Sequence, residues 1–326
     1  MSGLKERIIA AAAPDLAAIE TALRDNLGAH LEIVEETASH ILFAGGKRLR
    51  PLLMRLSARI CGYRGDEDVR LSTVFEYLHA ATLLHDDLVD GAHLRRNKPA
   101  AHAVYGNSIA VLVGDFLLAR SLSIATRPGK LAIMEVIAGI TEEMSQGEIH
   151  QLIKKGDLLL SEAEYMEVIR RKTAVLIRGA CRVGALLADA PEARTDALTR
   201  YGYHLGVAFQ MADDLLDYTA DTTELGKEVG ADIREGKLTL PLIHALQRAD
   251  TRQRDRIEGI VRDQTFSGDD FRELIDLLET LGGIRYTRRQ AEAHVAEAKA
   301  ALTPFGPSRT RETLLNIAEY ALHRKV

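Results

Sequence analysis

Six aspartates stand in two copies of one pattern, Asp86-Asp87-Leu88-Val89-Asp90 and Asp213-Asp214-Leu215-Leu216-Asp217. A helix turns about 100° per residue, so the first and fifth positions of each copy share a face, Asp86 with Asp90 and Asp213 with Asp217. Each pair is then a carboxylate clamp, with Asp87 and Asp214 in support. An all-oxygen donor set without a His or Cys cage favours a hard cation, Mg²⁺ with Mn²⁺ as the alternative. Mg²⁺ keeps water ligands and shares itself with substrate phosphates. A solvated acidic helix end would account for one such cluster. Two copies, each following an apolar stretch and each followed by basic residues, point instead to two acidic walls facing one another and neutralised by metal.

The basic residues sharpen the chemistry. Arg95-Arg96 lie in the loop after the first cluster, and Lys227 and Lys237 lie beside Gly226 and Gly236 after the second. A third basic turn, Gly45-Gly46-Lys47-Arg48-Leu49-Arg50-Pro51, opens a helix upstream. Carboxylates for metal, cations for phosphate oxygens and an apolar interior describe a diphosphate pocket. Such a pocket suits heterolysis of a carbon–oxygen bond, because preorganised charges in a water-poor site stabilise the departing diphosphate. The carbon fragment would leave as a cation, sheltered from water by apolar walls.

The elements that must position these groups are helices. Apolar residues recur with helical period throughout, and no run alternates as a strand does. The pattern predicts an all-α, single-domain helical bundle over residues 1–326, with a central cavity between its helices. Helices are expected over 14–43, 50–61, 68–90, 108–125, 130–153, 161–188, 194–218, 238–248, 252–263, 269–281, 284–302 and 308–324. Those at 108–125 and 171–188 are apolar on most faces and are expected to be central. Ser161 with Glu164 reads as a capping box.

Composition excludes several classes. The 326 residues are 46% apolar with 8 Pro, and 42 basic residues against 47 acidic give a net charge of −5, so no basic surface advertises nucleic acid. Cys61 and Cys181 lack CxxC spacing and read as buried free thiols of a reducing compartment. The N-terminus has neither a secretory signal nor a membrane span, so a cytoplasmic protein without a transmembrane segment is expected.

Several stretches together resemble the trans-isoprenyl diphosphate synthases, or polyprenyl synthetases. They are GGKRLRP at 45–51, EYLHAATLLHDDLVD at 76–90, LRR at 94–96, KTA at 172–174, FQMADDLLDY at 209–218 and LGKEVGADIREGKLTLPL at 225–242. The resemblance, strongest to octaprenyl-type enzymes, implies an isoprenoid-synthase fold, a homodimer, and head-to-tail condensation of isopentenyl diphosphate onto an allylic primer such as farnesyl or geranyl diphosphate. By position it makes Asp86, Asp90, Asp213 and Asp217 the Mg²⁺ ligands. Arg95, Lys172, Lys227 and, more weakly, Lys237 match cations for the allylic diphosphate; Lys47, Arg50, His79 and Arg96 match the isopentenyl diphosphate site. Thr173 and Gln210 match residues whose oxygens face the developing cation. It further implies that the released diphosphate takes the proton, so no dedicated protein base is needed. Two positions depart from the family pattern, Asn97 after the paired arginines and Leu238 after Lys237.

Product length should depend on the helix before Asp86, whose inward side chains lie progressively deeper at about 1.5 Å per residue. Short-chain relatives block the level of Ala81 or Thr82 with an aromatic ring. Here Ala81, Thr82 and Leu78 leave it open, which predicts roughly seven to ten isoprene units (about C35–C50), as for a quinone side chain. The alternatives are a geranylgeranyl or farnesyl diphosphate synthase plugged from another helix, for instance by Phe116 or Met144. A terpene cyclase is disfavoured by Lys47, Arg50 and His79, and a non-catalytic synthase subunit by the intact aspartates.

Overall fold

The computed structural model describes residues 2–28, 31–96, 98–219, 230–263 and 265–323, and these are almost wholly helical, as the periodicity predicts. They group into two compact units. One comprises residues 1–142, 176–202 and 300–317, the other residues 143–175, 203–299 and 318–326.

The first unit is organised by α4 (Glu67–Val89). Leu71, Val74, Phe75, Tyr77, Leu78, Ala81 and Leu84 are all buried, so this helix presents apolar side chains to nearly every side. Around it lie α1 (Ser2–Asp25), α3 (Leu49–Ile60) and α6 (Asn107–Ala125), with α2 (Glu32–Leu42) and α5 (Ala101–Tyr105) against α4 and α6 as well. Small residues allow the α4–α6 approach: a Cβ on Gly114 would fall 2.2 Å from His85 Nε2. That ring lies 3.1 Å from the Val111 carbonyl, while Ser121 Oγ lies 3.5 Å from the Val74 carbonyl. The two marks set the helices antiparallel. Arg55 ties three helices together, its Nη1 2.8 Å from Asp15 and its Nε 2.9 Å from Asp68. The Tyr77 hydroxyl donates to the Leu23 carbonyl at 2.6 Å.

Three sequence expectations need correction here. The helix expected over 14–43 is two helices, α1 and α2; Gly28 adopts φ +59 in the break, and Arg120 donates to the Asn26 carbonyl at 2.6 Å. Pro14, read as the start, sits inside α1 on its exposed side, where its missing N–H costs least. A two-stranded antiparallel hairpin, β1 (Leu94–Arg95) with β2 (Lys98–Pro99), escapes notice because two residues per strand show no alternation. Finally, α6 is not buried all round. Ala110, Val113, Gly114, Leu117, Ser121, Ile124 and Ala125 pack inward, but Leu112 is 61% exposed. By length and composition α6 could cross a membrane, although its inner face belongs to the core of this unit. The other helix expected to be central, α9 (Val175–Leu187), is buried on most faces.

The second unit holds the end of α7 (Leu131–Ile153), α8 (Glu162–Ile169) and the greater part of α10 (Glu192–Thr219). It continues through α11 (Ala231–Arg234), α12 (Leu240–Arg248), α13 (Thr251–Arg262), α14 (Gly268–Thr280) and most of α15 (Gly283–Ala301). The predicted capping box is present: Ser161 Oγ accepts from the Glu164 N–H at 3.2 Å while Glu164 accepts from the Ser161 N–H at 2.9 Å. Between α8 and α9 the helix widens into a π turn, Arg170–Ala174. Gly147 on α7 makes room for it, since a Cβ there would fall 2.8 Å from both Arg171 Cβ and the Lys172 amide nitrogen. Gly206 on α10 does the same against Ala174, 2.6 Å from its Cα. Both cysteines are free, Cys181 buried and Cys61 half-buried, and burial pushes their thiols up to about 12 and about 11.

Candidate active site

In the first unit the aspartate cluster ends α4. Asp86 and Asp90 are half-buried, one turn apart, with the Asp90 N–H donating to the Asp86 carbonyl at 2.8 Å. Asp87 points the other way. It is 1% exposed, and its Oδ1 accepts from Arg95 Nε at 2.8 Å and also from Arg95 Nη2. Asp87 therefore anchors Arg95, one of the cations expected at the allylic diphosphate. Its Oδ2 is buried without a hydrogen-bond partner.

On the same helix His79 is half-buried, and its pKa is held well below the ordinary imidazole value, first by burial and then by Arg50, Arg96, Arg95 and Arg48. The imidazole is neutral, a hydrogen-bonding group among fixed positive charges. Lys47 is exposed and Arg50 half-buried on the two sides of the turn that opens α3. Arg96, at φ 51 beside the hairpin, has its own pKa lowered by burial and by Arg48 and Arg95, against the pull of Glu76. Arg50, His79 and Arg96 thus belong to one cationic neighbourhood, with Lys47 three residues before Arg50 in the same turn. Thr82 lies one turn from both His79 and Asp86 on their face of α4, and its hydroxyl donates back to the His79 carbonyl at 2.8 Å. Leu78 and Ala81 are buried, Ala81 on the side of α4 that carries Val74 and His85 toward α6.

In the second unit Asp213 is exposed while Asp214 and Asp217 are buried. A hydrogen-bonded relay runs inward from the π turn. Thr173 Oγ1 donates to Gln210 Oε1 at 2.8 Å, Gln210 Nε2 donates to Asp214 Oδ1 at 2.7 Å, and the Tyr165 hydroxyl donates to Asp214 Oδ2 at 2.6 Å. Because Thr173 gives its proton to Gln210, its oxygen keeps lone pairs for a cation. Both oxygens of Asp214 are engaged, so Asp214 orients Gln210. Burial first, then Asp213 and Asp217, raise the Asp214 carboxyl to about 7, while Tyr165 and Gln210 pull it down. Lys172, also in the π turn, is paired with Glu148 of α7.

Asp217 caps α11: it accepts the Ala231 and Asp232 N–H groups, each at 3.1 Å. This brings in a residue that motif reading missed. The Asp232 carboxyl is pushed well up by burial and by Asp217, Asp214 and Asp213, with Lys237 opposing. The sequence signal was its place in GADIREGK, inside the matched stretch but outside both clusters. Lys237 Nζ pairs with Glu235 at 2.5 Å, and its N–H donates to the Asp232 carbonyl at 2.7 Å. Lys227 and Asn97 lie outside the described residues.

The donor chemistry fits a hard divalent cation. Four carboxylates crowd one end of α10, two of them shifted upward first by burial and then by their neighbours' charge, and a cation relieves that repulsion. Among the described residues no three His, Cys, Asp or Glu side chains converge closely enough to hold a metal alone. The rest of its coordination would come from water and phosphate oxygens, as suits Mg²⁺.

Similarity to known proteins agrees with this chemistry. The chain shares 39% identity and a TM-score of 0.92 with the polyprenyl synthase of Caulobacter crescentus CB15 complexed with calcium and isoprenyl diphosphate, covering 98% of each chain. That places it in the helical isoprenoid-synthase fold class. It is 37% identical over 319 residues to the octaprenyl diphosphate synthase of Escherichia coli, covering 98% of each. It is also 36% identical over 321 residues to an all-trans-nonaprenyl-diphosphate synthase (geranyl-diphosphate specific) of Rhodobacter capsulatus, again covering 98% of both. Residues 31–278 match the model of the polyprenyl synthetases, and the chain belongs to that family.

Proposed function

We propose that this prenyltransferase adds isopentenyl diphosphate repeatedly, head to tail, to an allylic diphosphate such as farnesyl or geranyl diphosphate and makes a long trans-polyprenyl chain of roughly seven to ten units. The observation that carries the reading is the Thr173–Gln210–Asp214–Tyr165 relay, which aims an oxygen lone pair outward from a buried carboxylate. Asp86 and Asp90 are the metal ligands of the first cluster, and Asp213 and Asp217 those of the second. Mg²⁺ when bound supplies charge stabilisation to the departing diphosphate. Arg95, held by Asp87, and Lys172 bind diphosphate oxygens as the allylic carbon–oxygen bond breaks. Thr173 faces the allylic cation without attacking it. Lys47, Arg50, Arg96 and neutral His79 hold isopentenyl diphosphate, whose terminal alkene carbon forms the new carbon–carbon bond. The proton from its C2 passes to the released diphosphate.

The same reading makes the whole chain one catalytic domain, working as a cytoplasmic homodimer that supplies quinone side chains. Incubating the purified chain with isopentenyl and farnesyl diphosphates, with Mg²⁺ and then with EDTA, tests the reaction by product chromatography. Long prenyl diphosphates that vanish on chelation are expected. Accumulation of a C20 species would reject the long-chain reading, and turnover indifferent to chelation would reject the metal.

A further inference from the structure

The EYLH stretch contains a buried acid with no role in the reaction assigned above. Glu76 is 7% exposed, and its Oε1 accepts from Arg48 Nη1 at 2.7 Å. Arg48 is 5% exposed and sits at φ 47, a left-handed conformation that strains a non-glycine residue. Three bonds hold it there. Besides the one to Glu76, Nε donates to Glu20 Oε1 at 2.5 Å and Nη2 donates to the Leu42 carbonyl at 2.7 Å.

The turn fixed in this way is the one that aims Lys47 and Arg50. Gly46 lets it close up, since a Cβ there would fall 3.1 Å from Arg48 Nη1 and 3.5 Å from Arg96 Nη1. Arg48 and Arg96 therefore lie against the same glycine, with Arg50 and Arg95 also acting on His79. Glu76 stands one turn before His79 on α4 and attracts Arg96 as well as Arg48. Before any anion binds, it is a buried negative charge set beside Arg48 and Arg96.

We propose that Glu76, acting through Arg48, is a positioning residue that presets the Lys47–Arg50–His79–Arg96 site for the diphosphate of isopentenyl diphosphate. It touches no substrate. It offsets the repulsion among the arginines and holds the turn, so the incoming diphosphate meets an assembled cradle. The inference rests on the substrate assignment made above, and its test separates the two.

Isopentenyl diphosphate is titrated calorimetrically into the full chain with Mg²⁺ and no allylic primer, alongside steady-state kinetics. Glu76→Gln should raise Kd and KM for isopentenyl diphosphate about tenfold, the scale of one charge-assisted hydrogen bond, with kcat and the allylic KM within about twofold. Glu76→Asp, which keeps the charge, should recover part of the loss. An unchanged Kd, or equal rises in both KM values, overturns the proposal. If Glu76→Gln does not fold, Glu20→Gln carries the test, because that side chain is 40% exposed. It should raise the same KM about threefold through the more exposed of the two ion pairs, and no change overturns the proposal. Wild-type protein that binds isopentenyl diphosphate but makes no product sinks the assigned reaction, while the binding arm still reads Glu76.

Discussion

Ala81→Phe should shorten the product by about three isoprene units. Ala81 is 4% exposed and stands five residues before Asp86, hence about 7.5 Å deeper along α4. Leu71, buried near the start of that helix, lies about 15 Å deeper still. An extended isoprene unit spans about 5 Å, being four bonds of about 1.5 Å in zigzag. A ring at Ala81 therefore closes off room for about three units. The assay is chromatography of dephosphorylated products, with a thermal melt as control. A phenyl group forced into a packed α4–α6 seam would cost about 1–3 kcal/mol, each kcal/mol lowering Tm by about 2–4 °C. A group entering an open tunnel would cost little. A lowered Tm with unchanged product lengths refutes the reasoning, since it means Ala81 packs against α6 and borders no tunnel.

Tyr165→Phe strips the donor from Asp214 Oδ2 and should cost about 1–3 kcal/mol in urea unfolding; a loss below about 0.5 kcal/mol would show that the relay does not need it. Gly147→Ala drives a methyl group against Arg171 and Lys172, so kcat should fall about tenfold as the π turn shifts. Undiminished turnover would mean that α7 yields instead. His294 has its pKa lowered to about 4 by burial and by His204, whose Nδ1 is 2.9 Å from its own, with Glu297 opposing. The folded chain therefore binds fewer protons than the unfolded one between about pH 4 and the ordinary histidine value near 6.5. The stability at stake is full above that window and is lost as pH falls through it. His294→Gln should flatten this slope in pH-dependent denaturation, and identical slopes would exclude His294 as its source.

Much of the site was legible because its chemistry is local in sequence. Spacing put Asp86 with Asp90, Ser161 with Glu164 formed its box as written, and the helical period gave most elements to within a residue or two. The inner aspartates were harder. Asp87 and Asp214 look identical to their neighbours in sequence, yet one grips Arg95 across the following loop and the other, besides Gln210 one turn back, grips Tyr165, a partner that only tertiary packing supplies. Asp232 reaches the second cluster because Asp217 caps a four-residue helix, too short for any periodicity to reveal. The break after α1 was missed because Gly28 is a weak signal inside a long apolar pattern, and its φ of +59 is set by the fold.

The π turn at Arg170–Ala174 has a consequence for how this chain tolerates change. It is a helix carrying one surplus residue. Deleting any one of the five would restore regular winding and leave the flanking helices in phase, but the four that remain would be redistributed around the turn. Lys172 could then no longer meet Glu148 while Thr173 met Gln210. Single-codon deletions here should be silent for helicity and lethal for turnover, an insertion frozen in place by the two side chains it aims.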